Sequence, residues 1–479
     1  MRKFAYLLTA LLLAVQPVSG AADLPDLGEA ARSDFTLAQE ARVGQLIMRD
    51  IRQSPSFIDD PELTEYLNSL GYTLAAASQD PSRQFNFFVL NDPTLNAFAL
   101  PGGNIGVHTG LILATRHESE LAGVLAHEIS HITQNHLGRM LEQQKQMQLP
   151  TLAALALAII AARSNPQAAQ AAISVSQATA IQSQLNFTRS NEREADRIGL
   201  QTLSRAGFDP EGMVDFFKRL EMSTRLMENN APEYLRTHPL TIQRIADMED
   251  REEQLPYHQH KDSTDYILAQ ARARFLSTGE KEAREHFQRQ AAMSGSNNSL
   301  AAYYGLSLLA LKQQDYPHAA ELFGHIPKPD SNPMLLHLAA EIALKNNSPD
   351  SGLEKYRQAL KRFPTTLSLI QAYASALLDN GRNGEAVQFL RNQLDERPNS
   401  TTLYSLLARA YAQQGRPTDQ HQAQAEAYAR NGNLNGAIEQ LQLALRDGKN
   451  ASFYQLSTLE ARLRELKQQD RAERENKNL

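Results

Sequence analysis

At 479 residues the chain exceeds what one ordinary hydrophobic core organises, and length alone favours two to four domains of roughly 100 to 200 residues. Its formal charge of −6, with no long basic run, excludes a general nucleic-acid partner, which needs a basic face to neutralise phosphates. Cysteine is absent, and this excludes disulfides, a lipidated cysteine behind an export signal, and thiolate ligands or nucleophiles.

The first residues, MRKFAYLLTALLLAVQPVSGAAD, set Arg2 and Lys3 before an apolar run ending near Val15, then Pro17 and the small residues Ser19, Gly20 and Ala21. This is the pattern of a cleaved secretory signal peptide over 1–21, and the run falls short of the ~20 apolar residues a membrane span requires. An exported, cysteine-free chain of helical character points to a bacterial periplasm. Helical spacing in LAQEARVGQLIMRDI and ELTEYLNSLGYTLAAAS predicts two helices between residues 35 and 80. RQFNFFVLN (83–91) and LNAFALPGGNIGVHTGLI (95–112) predict strands, with Pro101, Gly102 and Gly103 turning a hairpin. GNIGVHTG (103–110) is the expected sheet edge to which a substrate strand adds through main-chain hydrogen bonds.

The next stretch, LAGVLAHEISHITQNHLG (121–138), crowds His127, Glu128, His131 and His136 together. At about 100° per residue, His127 and His131 are offset by about 40° and reach one ion, while Leu121, Leu125, Ile129 and Ile132 lie on the far, buried side. Glu128 sits about 100° from His127, beside the ion, where a carboxylate can take a proton from the attacking water. His136 lies about 180° around the helix from His127 and is expected at the helix end or on the surface. A catalytic zinc needs a third protein ligand. In RSNEREADRIGLQTLSRAGFDP (189–210), Glu192 and Asp196 stand one turn apart, so the first can bind the ion and the second can accept the other ring N–H of a ligand histidine. An ordinary charged face, with Arg189, Arg193 and Arg197 pairing these acids, fits the spacing equally well.

Four stretches in order, NAFALPGG (96–103), HEISH (127–131), the Glu192 to Asp196 ExxAD element and THPLTIQR (237–244), resemble the M48 zinc metallopeptidases over roughly residues 35 to 255. The resemblance implies an α+β, zincin-like peptidase domain (22–262) holding one zinc ion on His127, His131 and Glu192, with Glu128 as general base. It leaves His238 open. That residue starts a helix with Pro239 at the first position, or fills the fourth zinc position and keeps the enzyme latent, or donates to the transition state together with Arg244.

LPTLAALALAIIAARSNPQAAQAAISVSQATA (149–180) is alanine-rich and too short in its apolar core to span a bilayer, so a helical hairpin packed on the protein competes with a flap or a peripheral membrane contact. From about residue 264 helices follow one another. Pro364 and Pro398 lie 34 residues apart, as do Gly352 and Ala386, the period of the tetratricopeptide repeat, while Ala386 to Ala437 is 51 residues, so the register slips by one helix. About four irregular repeats are expected over 263–479, with a frayed or disordered tail from about Arg464. The chain is thus expected to be mainly α, a small-sheet peptidase domain followed by a helical solenoid. With the export signal and the repeats, the resemblance implies a periplasmic metalloendopeptidase with chaperone-like activity. Its expected clients are misfolded or assembling outer-membrane proteins, and its expected partners the β-barrel assembly machinery and the lipopolysaccharide-transport barrel. The competing reading is a repeat-based assembly chaperone or adaptor whose metal site is secondary.

Overall fold

A computed structural model describes residues 36–142, 188–225, 234–235, 238–346, 348–448 and 451–475. The signal sequence and the alanine-rich 149–180 stretch lie outside the described residues. The two helices expected first form as α1 (Leu37–Arg52) and α2 (Pro61–Ala77). Asp60 caps α2 by accepting the Leu63 N–H at 2.9 Å, with Pro61 at the first helical position, where no N–H is missed.

The strands β1 (Phe57–Ile58), β2 (Asn86–Leu90), β3 (Ala97–Leu100) and β4 (Asn104–His108) form one sheet in the order β1-β2-β4-β3. β3 and β4 make the expected hairpin through Pro101–Gly103, where Gly102 and Gly103 both take φ of 77°. A Cβ on Gly103 would stand 2.1 Å from the Gln84 carbonyl oxygen, so side-chain-bearing residues are excluded there. The expectation that 103–110 is a sheet edge is wrong. β4 runs parallel to β2 on one side and antiparallel to β3 on the other, and all five of its residues are buried, as in a central strand. Among the described residues the edge on that side is β3.

The chain continues through α3 (Thr109–Ala114), α4 (Glu118–Thr133), α5 (136–142), α6 (188–205), α7 (Pro210–Arg225) and α8 (Ile242–Glu252). Leu63, Leu67, Leu70 and Leu74 of α2 share a core with Phe87, Val89 and Ile105 of the sheet and with Leu121, Leu125 and Ile129 of α4. α4 is buried on every side, not just on the leucine face, because α2, β3 and α7 all pack against it. Twelve further described helices follow, each in contact with the next: α9 (Thr264–Ser277), α10 (Glu280–Ala291), α11 (Ser296–Lys312), α12 (Tyr316–Gly324), α13 (Pro333–Lys345), α14 (Pro349–Arg362), α15 (Leu367–Asp379), α16 (Asn383–Glu396), α17 (Thr401–Gln413), α18 (Pro417–Arg430), α19 (Leu434–Asp447) and α20 (Phe453–Glu475).

A Cβ on Gly352 of α14 would meet Leu344 of α13 at 2.5 Å, while Ala386 of α16 and Ala437 of α19 are fully buried. The helix of Ala437 is the third after that of Ala386, an odd step, so the small-residue position passes from the second helix of a pair to the first. From Arg464 to Glu475 the tail expected to fray is instead the second half of α20, which is held by buried Leu459 and Leu466. Among the described residues no helix is long and apolar enough to cross a membrane.

The start of α2 is where the repeat helices grip the peptidase part. Arg272 of α9 places Nε and Nη2 each 2.7 Å from an Asp60 oxygen and Nη1 2.5 Å from Glu62 Oε2, and His337 of α13 lies 2.9 Å from Glu62 Oε1 through Nδ1. Glu65 accepts the Leu367 and Ser368 N–H groups at 2.8 and 3.0 Å, capping α15 from another part of the chain. Burial pushes the Glu62 carboxyl up, but Arg272 and His337 outweigh it and hold it below the usual range; burial pushes the His337 imidazole down, but Glu62 outweighs it and raises it. His337 therefore stabilises the fold fully below about pH 6.5 and loses this as pH rises through its raised value. Glu62 contributes above about pH 4.5 and loses its share as pH falls further. The melting temperature is expected to fall as pH rises above about 6.5, and His337→Gln to flatten that slope. Equal slopes in the two proteins would contradict the linkage.

Candidate metal centre

The N-terminus of α4 is fixed before its histidines are reached. Glu118 accepts the Tyr66 hydroxyl at 3.1 Å and the Ser263 hydroxyl and N–H at 2.8 and 2.9 Å, while its own N–H donates to Asp262 Oδ1 at 2.8 Å. One turn apart on this anchored helix, His127 and His131 bring their Nε2 atoms to 3.0 Å from each other, a spacing that requires both rings to face one point. α6 supplies the third group. Glu192 stands 3.5 Å through Oε2 from His127 Nε2 and 3.5 Å through Oε1 from His131 Nε2. Gly199 permits this approach, since a Cβ there would lie only 3.2 Å from the His127 main-chain nitrogen. One turn after Glu192, Asp196 Oδ1 is 3.1 Å from His127 Nδ1, so the far side of the His127 ring faces a carboxylate.

His238 joins the same point. Its Nδ1 is 3.1 and 3.2 Å from the two Glu192 oxygens and its Nε2 is 3.6 Å from Glu128 Oε1. One ligand atom each from His127, His131, Glu192 and His238 lies within 4.8 Å of all the others. His238 and Pro239 do not begin a helix: α8 starts at Ile242 behind Thr241, whose hydroxyl accepts the Arg244 N–H at 3.2 Å. His136 is not in the group. α4 ends at Thr133 and Asn135 takes a left-handed φ of 51°, so a break in the helix, not rotation along it, removes His136, which is buried rather than on the surface.

Two neighbours of the cluster carry weight that spacing did not reveal. Arg244 places Nε and Nη2 each 2.7 Å from an Asp196 oxygen, Nη1 2.9 Å from Glu192 Oε2, and donates from Nη1 to the Pro239 carbonyl at 2.9 Å. It occupies the place that the competing charged-face reading gave to Arg189, Arg193 and Arg197, of which the first two are exposed and the third is half-buried. Tyr234 stacks on the His238 ring at 4.6 Å between centroids and at 5.9 Å on Phe217, whose edge meets His127. Its place four residues before His238 is the only trace of this in the sequence.

Burial opposes charge throughout the site, and the partners decide the outcome. For His127 burial lowers the pKa, yet Asp196 and Glu192 outweigh it and raise it to about 9. Burial pushes Glu192 and Asp196 up, but histidine contacts, and for Asp196 also Arg244, hold both below the carboxylate range. Glu128 goes the other way. It is fully buried, burial raises it above the usual range against the pull of His238 and His127, and among the described residues neither of its oxygens has a hydrogen-bond partner. Imidazole nitrogens and a carboxylate converging on one point, with an orphaned carboxylate beside them, fit a bound metal ion.

The profile of peptidase family M48 matches residues 61–252, and a tetratricopeptide-repeat profile matches 377–419. The chain is 35% identical over 448 residues to the β-barrel assembly-enhancing protease of Escherichia coli (strain K12), covering 93% of this chain and 91% of that one. The chain belongs to this M48 protease family. The Yersinia pestis relative of the same name is 34% identical, with 91% of both chains covered. Similarity to the mitochondrial metalloendopeptidase OMA1 of Schizosaccharomyces pombe, 30% over 46% of this chain and 62% of that one, is confined to part of the chain. Family membership makes this chain a metalloprotease with protein substrates and carries the small-sheet peptidase fold and the helical repeats with it.

Proposed function

We propose that the chain is a periplasmic zinc metalloendopeptidase with chaperone-like activity, one that promotes assembly of outer-membrane β-barrel proteins and degrades misassembled ones. The observation that carries the reading is the convergence of His127, His131, Glu192 and His238 beside the buried Glu128 carboxylate, which lies 3.6 Å from His238 Nε2. His127, His131 and Glu192 are assigned as the ligands of one zinc per chain, Asp196 as the group that orients His127, and residues 22–262 and 263–479 as the peptidase and repeat domains behind a signal peptide of 1–21. When bound, zinc supplies Lewis acidity, activating water near neutral pH and polarising the scissile carbonyl.

The protein's own groups do the rest. Glu128 takes the proton of the attacking water and returns it to the leaving amine, and its raised pKa moves it toward the range where one carboxyl serves both tasks. Strand addition moves from 103–110 to β3, since the main chain of Ala99 lies against Glu128 and β3 has one ladder neighbour among the described residues. A substrate held by its backbone there is selected for being extended, not for its side chains. The repeats provide the surface for clients, for the β-barrel assembly machinery and for the lipopolysaccharide-transport barrel; the relatives' name, β-barrel assembly-enhancing protease, supports the link to barrel assembly.

His238, inside the ligand group, is assigned the fourth position, which keeps the enzyme latent until a substrate or partner moves the Pro239 loop. His238→Ala is then expected to raise cleavage of an unfolded outer-membrane protein, whereas a fall would assign it to transition-state donation. The function itself is tested by chelation: cleavage of that substrate is expected to stop when metal is removed and to return with one equivalent of zinc. Undiminished cleavage by the chelated chain would overturn the proposal.

A further inference from the structure

Tyr234 is 2% exposed beside a site that has to admit a peptide, and it is held there in two ways. Its N–H donates to the Leu95 carbonyl at 3.2 Å, two residues before β3 begins. Asn96 turns its own carbonyl to β4, accepting the His108 N–H at 3.0 Å, so the carbonyls of Leu95 and Ala97 point the other way. That is the side of β3 with no strand beside it among the described residues. Tyr234 therefore takes the first acceptor of the edge to which a substrate strand adds. The ring is the second hold: it lies 5.9 Å from Phe217 with the planes 24° apart, 4.6 Å from His238 with the planes 27° apart, and 6.4 Å from His127. The place it fills is walled by rings and suits a planar side chain.

Tyr234 and His238 are also tied to each other, since the His238 N–H donates to the Tyr234 carbonyl at 2.8 Å. When His238 gives up the fourth metal position, Tyr234 is carried out with it. What it leaves behind is an unfilled acceptor at Leu95 and the fully buried face of Phe217, next to His127. An extended chain with one aromatic residue replaces both contacts, its N–H on Leu95 and its ring on Phe217. An aliphatic residue makes the hydrogen bond but loses the ring contact, and alanine loses most of the buried area as well. Backbone pairing along β3 selects for extension alone, and the place of Tyr234 adds one side-chain demand to it.

We propose that Tyr234 holds the place of a substrate residue, so that the site selects extended segments carrying an aromatic side chain, which seats on Phe217 while its main-chain N–H takes the Leu95 carbonyl. The inference rests on the proposed proteolysis and names a substrate class for it, one that strands of outer-membrane barrels satisfy through their aromatic girdles. The test measures fluorescence anisotropy on the full, zinc-loaded chain carrying Glu128→Gln, which leaves the probes uncut. The probes are labelled decapeptides of Thr, Ser and Gln, identical except for one central residue, Phe, Leu or Ala. The Phe probe is expected to bind about three- to tenfold more tightly than the Leu probe, the scale of an aromatic pair beyond its buried area, and the Ala probe most weakly. Tyr234→Leu weakens the internal competitor and is expected to tighten the Phe probe severalfold, while Tyr234→Phe leaves it unchanged. A tyrosine that only supports the fold gives the opposite sign, weaker binding in Tyr234→Leu. Equal binding of the Phe and Leu probes, or a Phe probe bound no more tightly by Tyr234→Leu than by its parent, overturns the proposal. The probe comparison needs no change at Tyr234, so it decides even where Tyr234→Leu fails to fold. Zinc-dependent cleavage with equal probe binding overturns the aromatic selection and leaves the protease reading standing; aromatic selection by a chain that cleaves without metal does the reverse.

Discussion

Glu128→Gln is expected to lower kcat/KM for cleavage of an unfolded outer-membrane protein by about 10²- to 10⁴-fold, the usual share of a general acid–base group, with fold and zinc content unchanged. The exchange keeps shape and volume at a position with no exposed surface, and it breaks no hydrogen bond among the described residues. What it removes is proton affinity. Because burial raises the Glu128 pKa and the base must be ionised to act, wild-type cleavage is expected to fall with acidification at a pH above that of an ordinary carboxylate. If the variant restores outer-membrane assembly in cells while cleaving nothing, the adaptor reading gains and proteolysis becomes a side activity. Unchanged cleavage would remove Glu128 from the mechanism altogether.

The second large effect is expected from Arg244→Met. Arg244 is 3% exposed and is the cation shared by Asp196 and Glu192, themselves 1% and 3% exposed. Removing one partner of a buried pair strands the other charge, at about 3–5 kcal/mol of stability. The variant is expected to lose about that much in urea unfolding of the zinc-free chain and less in the zinc-loaded chain, since an ion bound to the native state compensates part of the uncovered charge. A loss below 1 kcal/mol in the zinc-free chain would show that the two acids do not depend on Arg244. The Pro239 carbonyl loses its donor in the same variant, so the loop carrying His238 loosens together with the ligand shell.

What could be read from sequence, and what could not, divides along local and non-local lines. The 40° offset of His127 and His131 and the buried leucine face of α4 are properties of one helix, and Leu121, Leu125, Ile129 and Ile132 are buried as that geometry requires. The β3–β4 hairpin, turned by two glycines at positive φ, is equally local. The position of β4 inside the sheet is not: it depends on parallel pairing with β2, a contact that alternation within 103–110 cannot encode. The competition between Glu192 as ligand and Glu192 as an ordinary surface acid was undecidable from spacing, because the cation that meets it, Arg244, arrives from a loop and helix some fifty residues on. That arginine closes the THPLTIQR stretch, so the motif held the signal while its pairing stayed hidden. The grip of Arg272, His337 and the α15 N-terminus on α2 is likewise made by residues far apart in the chain, each of which reads alone as ordinary surface charge.

The central claim is that four side chains from three separate stretches of chain hold one zinc ion. An anomalous difference map at the zinc edge from crystals of the full-length chain measures this directly. The account predicts one peak per chain, bounded by His127, His131, Glu192 and His238, with Glu128 beside it and unligated. A peak elsewhere, or a peak at this point contacted by His136 or Glu194 in place of Glu192, would contradict it.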